Sequence, residues 1–216
     1  FNGVVVGLIS IGIMPYLENL FGLVTPIKLL ELSNPAHPLL RRLQLEAPGT
    51  YHHSVIVGNL AEAAAEAIGA DALLVRVGTY YHDIGKIRRP VFFVENQVGV
   101  DNPHERMSPS LSALTVAAHV RDGLELAREY GLPRVIADFI PEHHGTMLMT
   151  YFHHQALERG DQPEPGAYRY EGPKPQTRET AIVMLADAVE AAVRTRPRPT
   201  PDRMYEVVRR IVHERL

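Results

Sequence analysis

Residues 1–17 carry no charge, and within them 3–14 (GVVVGLISIGIM) are almost wholly apolar. Beyond them, apolar positions recur at helical spacing in blocks divided by proline and glycine. Thr25-Pro26 and Ser33-Asn34-Pro35 each set a capping residue ahead of a proline suited to a first helical position, which predicts a short helix over 26–32 within a connector, 18–47. Pro48-Gly49 punctuates the chain, and Thr50 is the expected cap of a helix over 51–68 that stops at Gly69. A second helix is expected over 71–82. Residues 86–107 hold Pro90, Gly99, Asn102 and Pro103 and read as an ordered loop or lid. Ser108-Pro109 opens a helix to about Tyr130, closed by Gly131. Pro133 opens another that ends at Gly145, with Pro141 bending its last turn. A short helix over 147–159, a polar proline-rich stretch over 160–176 and a helix from Thr177 to Arg194 follow. Residues 196–199 (RPRP) read as a stiff linker, and Thr200-Pro201 starts a last helix. Strand signals are weak throughout and no internal repeat is seen, so the expected fold is all-α.

Composition narrows the chemistry. The 216 residues are enough for one domain with a real core, and 45% hydrophobic with 22% charged residues is an ordinary globular balance. A net charge of −3 and a pI near 6.4 supply no bulk positive field for nucleic-acid polymers, so a nucleotide ligand needs a local site. With no cysteine, disulfides, thiolate nucleophiles and Cys-ligated zinc are excluded. The apolar amino end lacks a basic segment and a small-residue cleavage site, so it is not read as a signal peptide. Composition leaves two readings for it, a buried helix or the end of a transmembrane helix.

Histidine is abundant, at 11, and position sorts the eleven. His53, His82-Asp83, His119, His143-His144 and Asp187 sit on, or at the end of, different predicted helices. Imidazoles and carboxylates converging from several helices are how bundles build dinuclear metal sites. Counted in sevens, His52 shares a polar stripe with Asn59 and Glu66, whereas His53 shares an apolar one with Ile56, Val57, Leu60 and Ala64. Between Ala181 and Val193 the only charged residues are Asp187 and Glu190, and a carboxylate in so apolar a helix needs a partner or a metal. Taken singly, each has a plainer reading: His119 as a hydrogen-bonded core histidine, Asp187 as an ion-pair member, His143-His144 as a helix end complementing its dipole. Five placed histidines with two aspartates are harder to explain that way. His37, His52, His153, His154 and His213 read as connector, solvent-facing or peripheral residues.

The run His82-Asp83-Ile84-Gly85-Lys86 (HDIGK) resembles the signature of the HD phosphohydrolase superfamily. The wider context resembles the cytosolic HD domain of the bacterial seven-transmembrane cyclic-di-AMP phosphodiesterases. That likeness is carried by PGTYHHS (48–54), YYHDIGK (80–86), ENQ (95–97), NPH (102–104), SPSLSAL (108–114), HVRDG (119–123), EHHGT (142–146), ADAVEAAVR (186–194) and LLELSNPAHPLLRRL (29–43). It implies an HD helical bundle with a dinuclear metal site in its core. His53, His82, Asp83 and Asp187 would hold one ion, and Asp83, His119, His143 and His144 the other, with Asp83 bridging. It implies two divalent transition-metal ions, iron or manganese, and hydrolysis of cyclic di-AMP to linear pApA by a metal-bridging hydroxide. Lys86 would neutralise nonbridging phosphate oxygens, and Asn96, Asn102 and His104 would contact substrate from the lid. The resemblance also reads 1–17 as the truncated end of a transmembrane helix, 18–47 as a membrane-to-domain linker and 48–216 as the HD phosphohydrolase domain, truncated at its C-terminus, in the cytoplasm at the bacterial cell membrane.

Three alternatives stay open at this point. One is an HD hydrolase acting on cyclic di-GMP or on nucleoside phosphates, although the Gly-Tyr-Pro signature of the cyclic-di-GMP group is absent. Another is an oxidative di-iron HD enzyme. The third is a non-catalytic nucleotide-sensing module, against which the intact HDIGK and the seven ligand positions argue.

Overall fold

Proline placement sets the helix starts. In the computed structural model, which describes residues 2–21, 24–194 and 200–215, helix α1 (Asn2–Phe21) is followed by α2 (Pro26–Ser33), α3 (Pro38–Glu46) and α4 (Pro48–Ile68). Each of these last three begins on a proline, where a missing N–H costs no helical hydrogen bond. Thr25 caps α2 by accepting from the Lys28 N–H at 3.2 Å. Helix α4 starts one turn earlier than the expected Thr50 cap. Thr50 is instead buried in the first turn, where Asn96 serves it from across the fold: Asn96 Oδ1 accepts the Thr50 N–H (3.1 Å) and Asn96 Nδ2 donates to the Thr50 hydroxyl (2.8 Å).

Asp71 caps α5 (Ala72–Tyr81), and Ser108 caps α6 (Pro109–Glu129), with Gly131 in the left-handed region beyond it. Between them the expected lid is a series of short 3-10 turns at Ile84–Arg88, Pro90–Phe92, Val94–Asn96 and Pro103–Arg106. The single bent helix expected after Pro133 is two short ones, α7 (Arg134–Ala137) and α8 (Phe139–Glu142), parted at Asp138. Pro141 has no N–H for the Ala137 carbonyl, which explains the break. Then come α9 (Thr150–Glu158), α10 (Arg178–Arg194) and α11 (Pro201–Arg215). Among the described residues one isolated bridge, Leu148 with Arg169, is the sole strand-like pairing. The fold is all-α. The expected stiff linker at 196–199 lies outside the described residues.

Much of the segment 18–47 packs into the core. Leu29 and Leu32 of α2 and Leu39, Leu40 and Leu43 of α3 are buried with Tyr81, Ile84, Ile87, Leu126 and Ile140. The Tyr81 hydroxyl donates to the Leu32 carbonyl at 2.8 Å. Residues 26–47 are therefore part of the folded body: their leucine spacing supplies an apolar face that packs on α4, α5 and the turn after α5. Helix α4 packs on α3, α5 and α10, and the turn after α5 packs on α6. That last contact depends on glycine. A Cβ on Gly85 would overlap the His119 carbonyl oxygen, and one on Gly49 would overlap the Glu95 carbonyl oxygen. Bare backbone at these two places lets the HD turn lie against α6 and the Glu95 segment lie against α4.

Val4, Leu8 and Ile9 of α1 are exposed. Among the described residues no helix is long and apolar enough to cross a membrane.

Candidate metal centre

Helix α4 contributes His53, the end of α5 contributes His82 and Asp83, α6 contributes His119, the turn after α8 contributes His143 and His144, and α10 contributes Asp187. The structure brings all seven together in two groups. His53, His82 and Asp187 form one, and Asp83, His119, His143 and His144 form the other, each with ligand atoms within 4.8 Å of one another. Asp83 faces both. Its Oδ2 lies 3.3 Å from His82 Nε2 and 3.7 Å from His53 Nε2, while its Oδ1 lies 3.4 Å from His119 Nε2 and 3.6 Å from His143 Nε2.

The back of each ring is anchored. Nδ1 of His82 donates to the Thr79 carbonyl (2.6 Å), that of His119 to the Val116 carbonyl (2.6 Å), and that of His143 to the Phe139 carbonyl (3.1 Å). Nδ1 of His53 meets Glu190 Oε2 at 2.7 Å. With Nδ1 protonated in His82, His119 and His143, the Nε2 lone pairs point inward, the tautomer that such partners of Nδ1 impose on metal-binding histidines. Nε2 of His82, His119 and His143 and Oδ1 of Asp83 are buried with no hydrogen-bond partner, and Nε2 of His53 faces Asp187 Oδ1 at 3.0 Å. Four orphaned polar atoms turned toward one another are costly in a protein interior unless something binds them. Their donor set, imidazole nitrogen and carboxylate oxygen without thiolate, fits divalent transition metals.

The electrostatics point the same way. Burial pushes the His119 and His144 imidazoles below the usual histidine range and His143 down to about 3, so all three are neutral and free to donate a lone pair. Burial alone would also lower His53, but the carboxylates of Asp187 and Glu190 raise it to about 9. Asp83 and Asp187 are held below the usual carboxylate range despite burial, the first by Lys86 and His82 and the second by His53.

Lys86 lies between two acids, its Nζ 2.6 Å from Asp83 Oδ2 and 2.7 Å from Glu95 Oε1. Despite burial, those acids hold its ammonium above the ordinary lysine range. The lid residues each have partners within the protein. Asn96 is taken up by Thr50, Asn102 accepts from the His104 N–H (3.1 Å) and from Gln97 (3.3 Å), and His104 Nε2 reaches the Phe92 carbonyl at 2.9 Å. None of the three belongs to either ligand group. On α4 the inward face is His53, Val57, Ala61 and Ala65. Ile56 and Leu60, expected with His53 in the core, instead border a cleft of about 680 Å³ with Val189, Val193, Met204 and Val208.

Several supporting residues were not assigned roles from the sequence. Glu190 orients His53, and its signal was present as the second charge in an apolar helix. Glu95 pairs with Lys86. Glu142 is buried and accepts from the Gln176 N–H (2.8 Å) and the Thr180 hydroxyl (2.6 Å), tying the His143-His144 turn to the start of α10. Tyr170 stacks on His144 with ring centroids 4.0 Å apart, and nothing local in the polar 160–176 stretch marks it.

Residues 50–192 match the HD domain family. The chain is 51% identical over 218 residues to the cyclic-di-AMP phosphodiesterase PgpH of Bacillus subtilis, covering 99% of this chain and 31% of that protein. It is 48% identical over 208 residues to the cyclic-di-AMP phosphodiesterase PgpH of Listeria monocytogenes, covering 96% of this chain and 29% of that one. It thus spans about a third of the length of these relatives. The crystal structure of the L. monocytogenes PgpH HD domain in complex with cyclic-di-AMP superposes with a TM-score of 0.81 at 49% identity, covering 85% of this chain and 86% of that one.

Proposed function

This chain belongs to the HD domain family, and from that footing we propose that it hydrolyses a phosphodiester bond of cyclic di-AMP, giving linear pApA, at a dinuclear centre built on Asp83. The observation that carries this reading is the division of the Asp83 carboxylate between two sets of inward-facing imidazoles. The names of the Bacillus and Listeria relatives, and the ligand in the Listeria structure, support the choice of substrate.

His53, His82, Asp83 and Asp187 would hold one divalent ion, and Asp83, His119, His143 and His144 the other. When bound, such ions supply Lewis acidity to phosphate oxygens and make water nucleophilic near neutral pH. The chain does the rest. The backbone carbonyls of Thr79, Val116 and Phe139 fix three rings in the tautomer that presents Nε2. Asp83 and Asp187, kept ionised, supply negative charge that neutral imidazoles cannot. Lys86, held beside Asp83, is the cation we assign to the nonbridging oxygens of the substrate phosphate. Iron or manganese is our assignment for the ions.

The test is product analysis with metal-loaded protein offered cyclic di-AMP, cyclic di-GMP and linear dinucleotides. Fastest turnover of cyclic di-AMP, ending at pApA, is expected. Preferential hydrolysis of cyclic di-GMP would overturn the substrate, and no hydrolysis of any would overturn the activity.

We also propose that 1–17 is the end of a transmembrane helix in the whole protein, with the catalytic domain on the cytoplasmic side. The uncharged amino end and the nearby Lys28, Arg41 and Arg42 support that orientation. A full-length gene product without further hydrophobic spans before Phe1 would refute it.

A further inference from the structure

Most cations around the centre are matched by acids. Lys86 lies between Asp83 and Glu95, Arg194 lies 3.9 Å from both Glu95 and Glu190, and Arg89 pairs with Asp122. Arg215, in the last turn of α11, differs. Its Nη1 is buried and has no hydrogen-bond partner among the described residues. Val207 and Ile211 are the buried residues of α11, four apart, and Arg215 is the next step of four. It therefore continues the stripe that α11 lays on Ala188, Leu185 and Val189 of α10, the helix that carries Asp187. The guanidinium sits within electrostatic reach of Asp187 and of the half-buried Tyr170, the residue stacked on His144; the neighbouring acid on its own helix is Glu214. Burial lowers its pKa, but a guanidinium starts from so high a value that it stays charged.

A charged donor within electrostatic reach of one of the ligands has no acceptor among the described residues, while Asp187 faces His53 and Glu214 pairs with Arg210. We infer that Arg215 is a substrate-binding residue whose Nη1 donates to a phosphate oxygen of the phosphodiester held at the centre. This rests on the hydrolase reading above. It adds a residue from outside the stretch that matches the HD domain family, 50–192. A planar guanidinium suits a phosphate, giving directed, charge-assisted hydrogen bonds where a lysine gives only a point charge.

The experiment compares wild type, Arg215→Met, which keeps an apolar stem, and Arg215→Lys, which keeps the charge, all metal-loaded. It reads KM and kcat for cyclic di-AMP, calorimetric binding of inorganic phosphate, metal content and thermal midpoint. Arg215→Met is expected to raise KM and weaken phosphate binding by about 10- to 100-fold, with Arg215→Lys recovering part of the loss. Metal content and thermal midpoint should stay as in wild type. Unchanged KM and phosphate binding in Arg215→Met would overturn the inference. So would loss of metal with a lowered midpoint in both variants, which would make Arg215 a support for Asp187. If wild type hydrolyses no cyclic dinucleotide, the phosphate arm still decides: Arg215-dependent binding sustains this inference while the hydrolase reading falls, and Arg215-independent binding ends both.

Discussion

Glu190 Oε2 lies 2.7 Å from Nδ1 of His53, while Nε2 of the same ring lies 3.0 Å from Asp187 Oδ1. One helix, α10, thus supplies both the carboxylate in front of His53 and the one that orients it from behind, three residues apart and on one face. Removing the rear carboxylate frees the ring to rotate and weakens it as a donor. Glu190→Ala is expected to lower metal affinity by about 10- to 100-fold. Glu190→Gln, which keeps an acceptor for Nδ1–H, should lose less. Manganese titration of the two variants against wild type checks the order, and equal affinity in all three would remove Glu190 from the centre.

Proton and metal compete for His53 Nε2. With its pKa raised to about 9, this imidazole in metal-free protein holds a proton at neutral pH, so binding a metal must release it. His143, at about 3, holds none there. Affinity of the His53, His82 and Asp187 group should therefore rise with pH and level off above about 9, while the other group changes little. On acidification from about pH 9 to about pH 6, one metal equivalent should leave before the second. Elemental analysis after dialysis at each pH measures this, and parallel loss of both equivalents would contradict it. In metal-free protein the sign is reversed for stability. A raised folded-state value makes charged His53 stabilising below its ordinary 6.5, and that contribution fades as pH rises through about 9.

The histidines were legible in the sequence because helical period separates neighbours: His52 is exposed and His53 buried, one position apart on α4. The helix ends at Asp71, Ser108 and Gly131 were legible for the same local reason. What local pattern could not show is reach. Asn96 capping α4 from 46 residues away, Glu95 meeting Lys86 and Tyr170 covering His144 all depend on how loops fold back. The packing of 26–47 was hidden too, because two short leucine-bearing helices between prolines look alike whether they bridge domains or complete a core.

That packing carries its own prediction. Leu43 is fully buried among Leu39, Leu40, Tyr81 and Ile84, so Leu43→Ala is expected to destabilise the domain by about 2–5 kcal/mol. Tyr81→Phe, which leaves the Leu32 carbonyl without its donor, should cost about 1 kcal/mol. Denaturant unfolding of each variant measures both, and a Leu43→Ala effect under about 1 kcal/mol would mean that α3 is a detachable tether after all.

Asp83 is the residue on which the two halves of the centre meet, because its oxygens face different imidazole sets. Asp83→Asn keeps the shape, removes the charge and replaces one oxygen by a poor ligand. The decisive measurement is metal content and turnover of wild type and Asp83→Asn, prepared without chelator and reconstituted with excess iron or manganese. Wild type should approach two equivalents per chain. Asp83→Asn should hold fewer and lose about 10³-fold or more in turnover, on the order of 4 kcal/mol of transition-state stabilisation. Wild type that stays at one equivalent, or an active Asp83→Asn enzyme that retains two, would contradict the bridged centre.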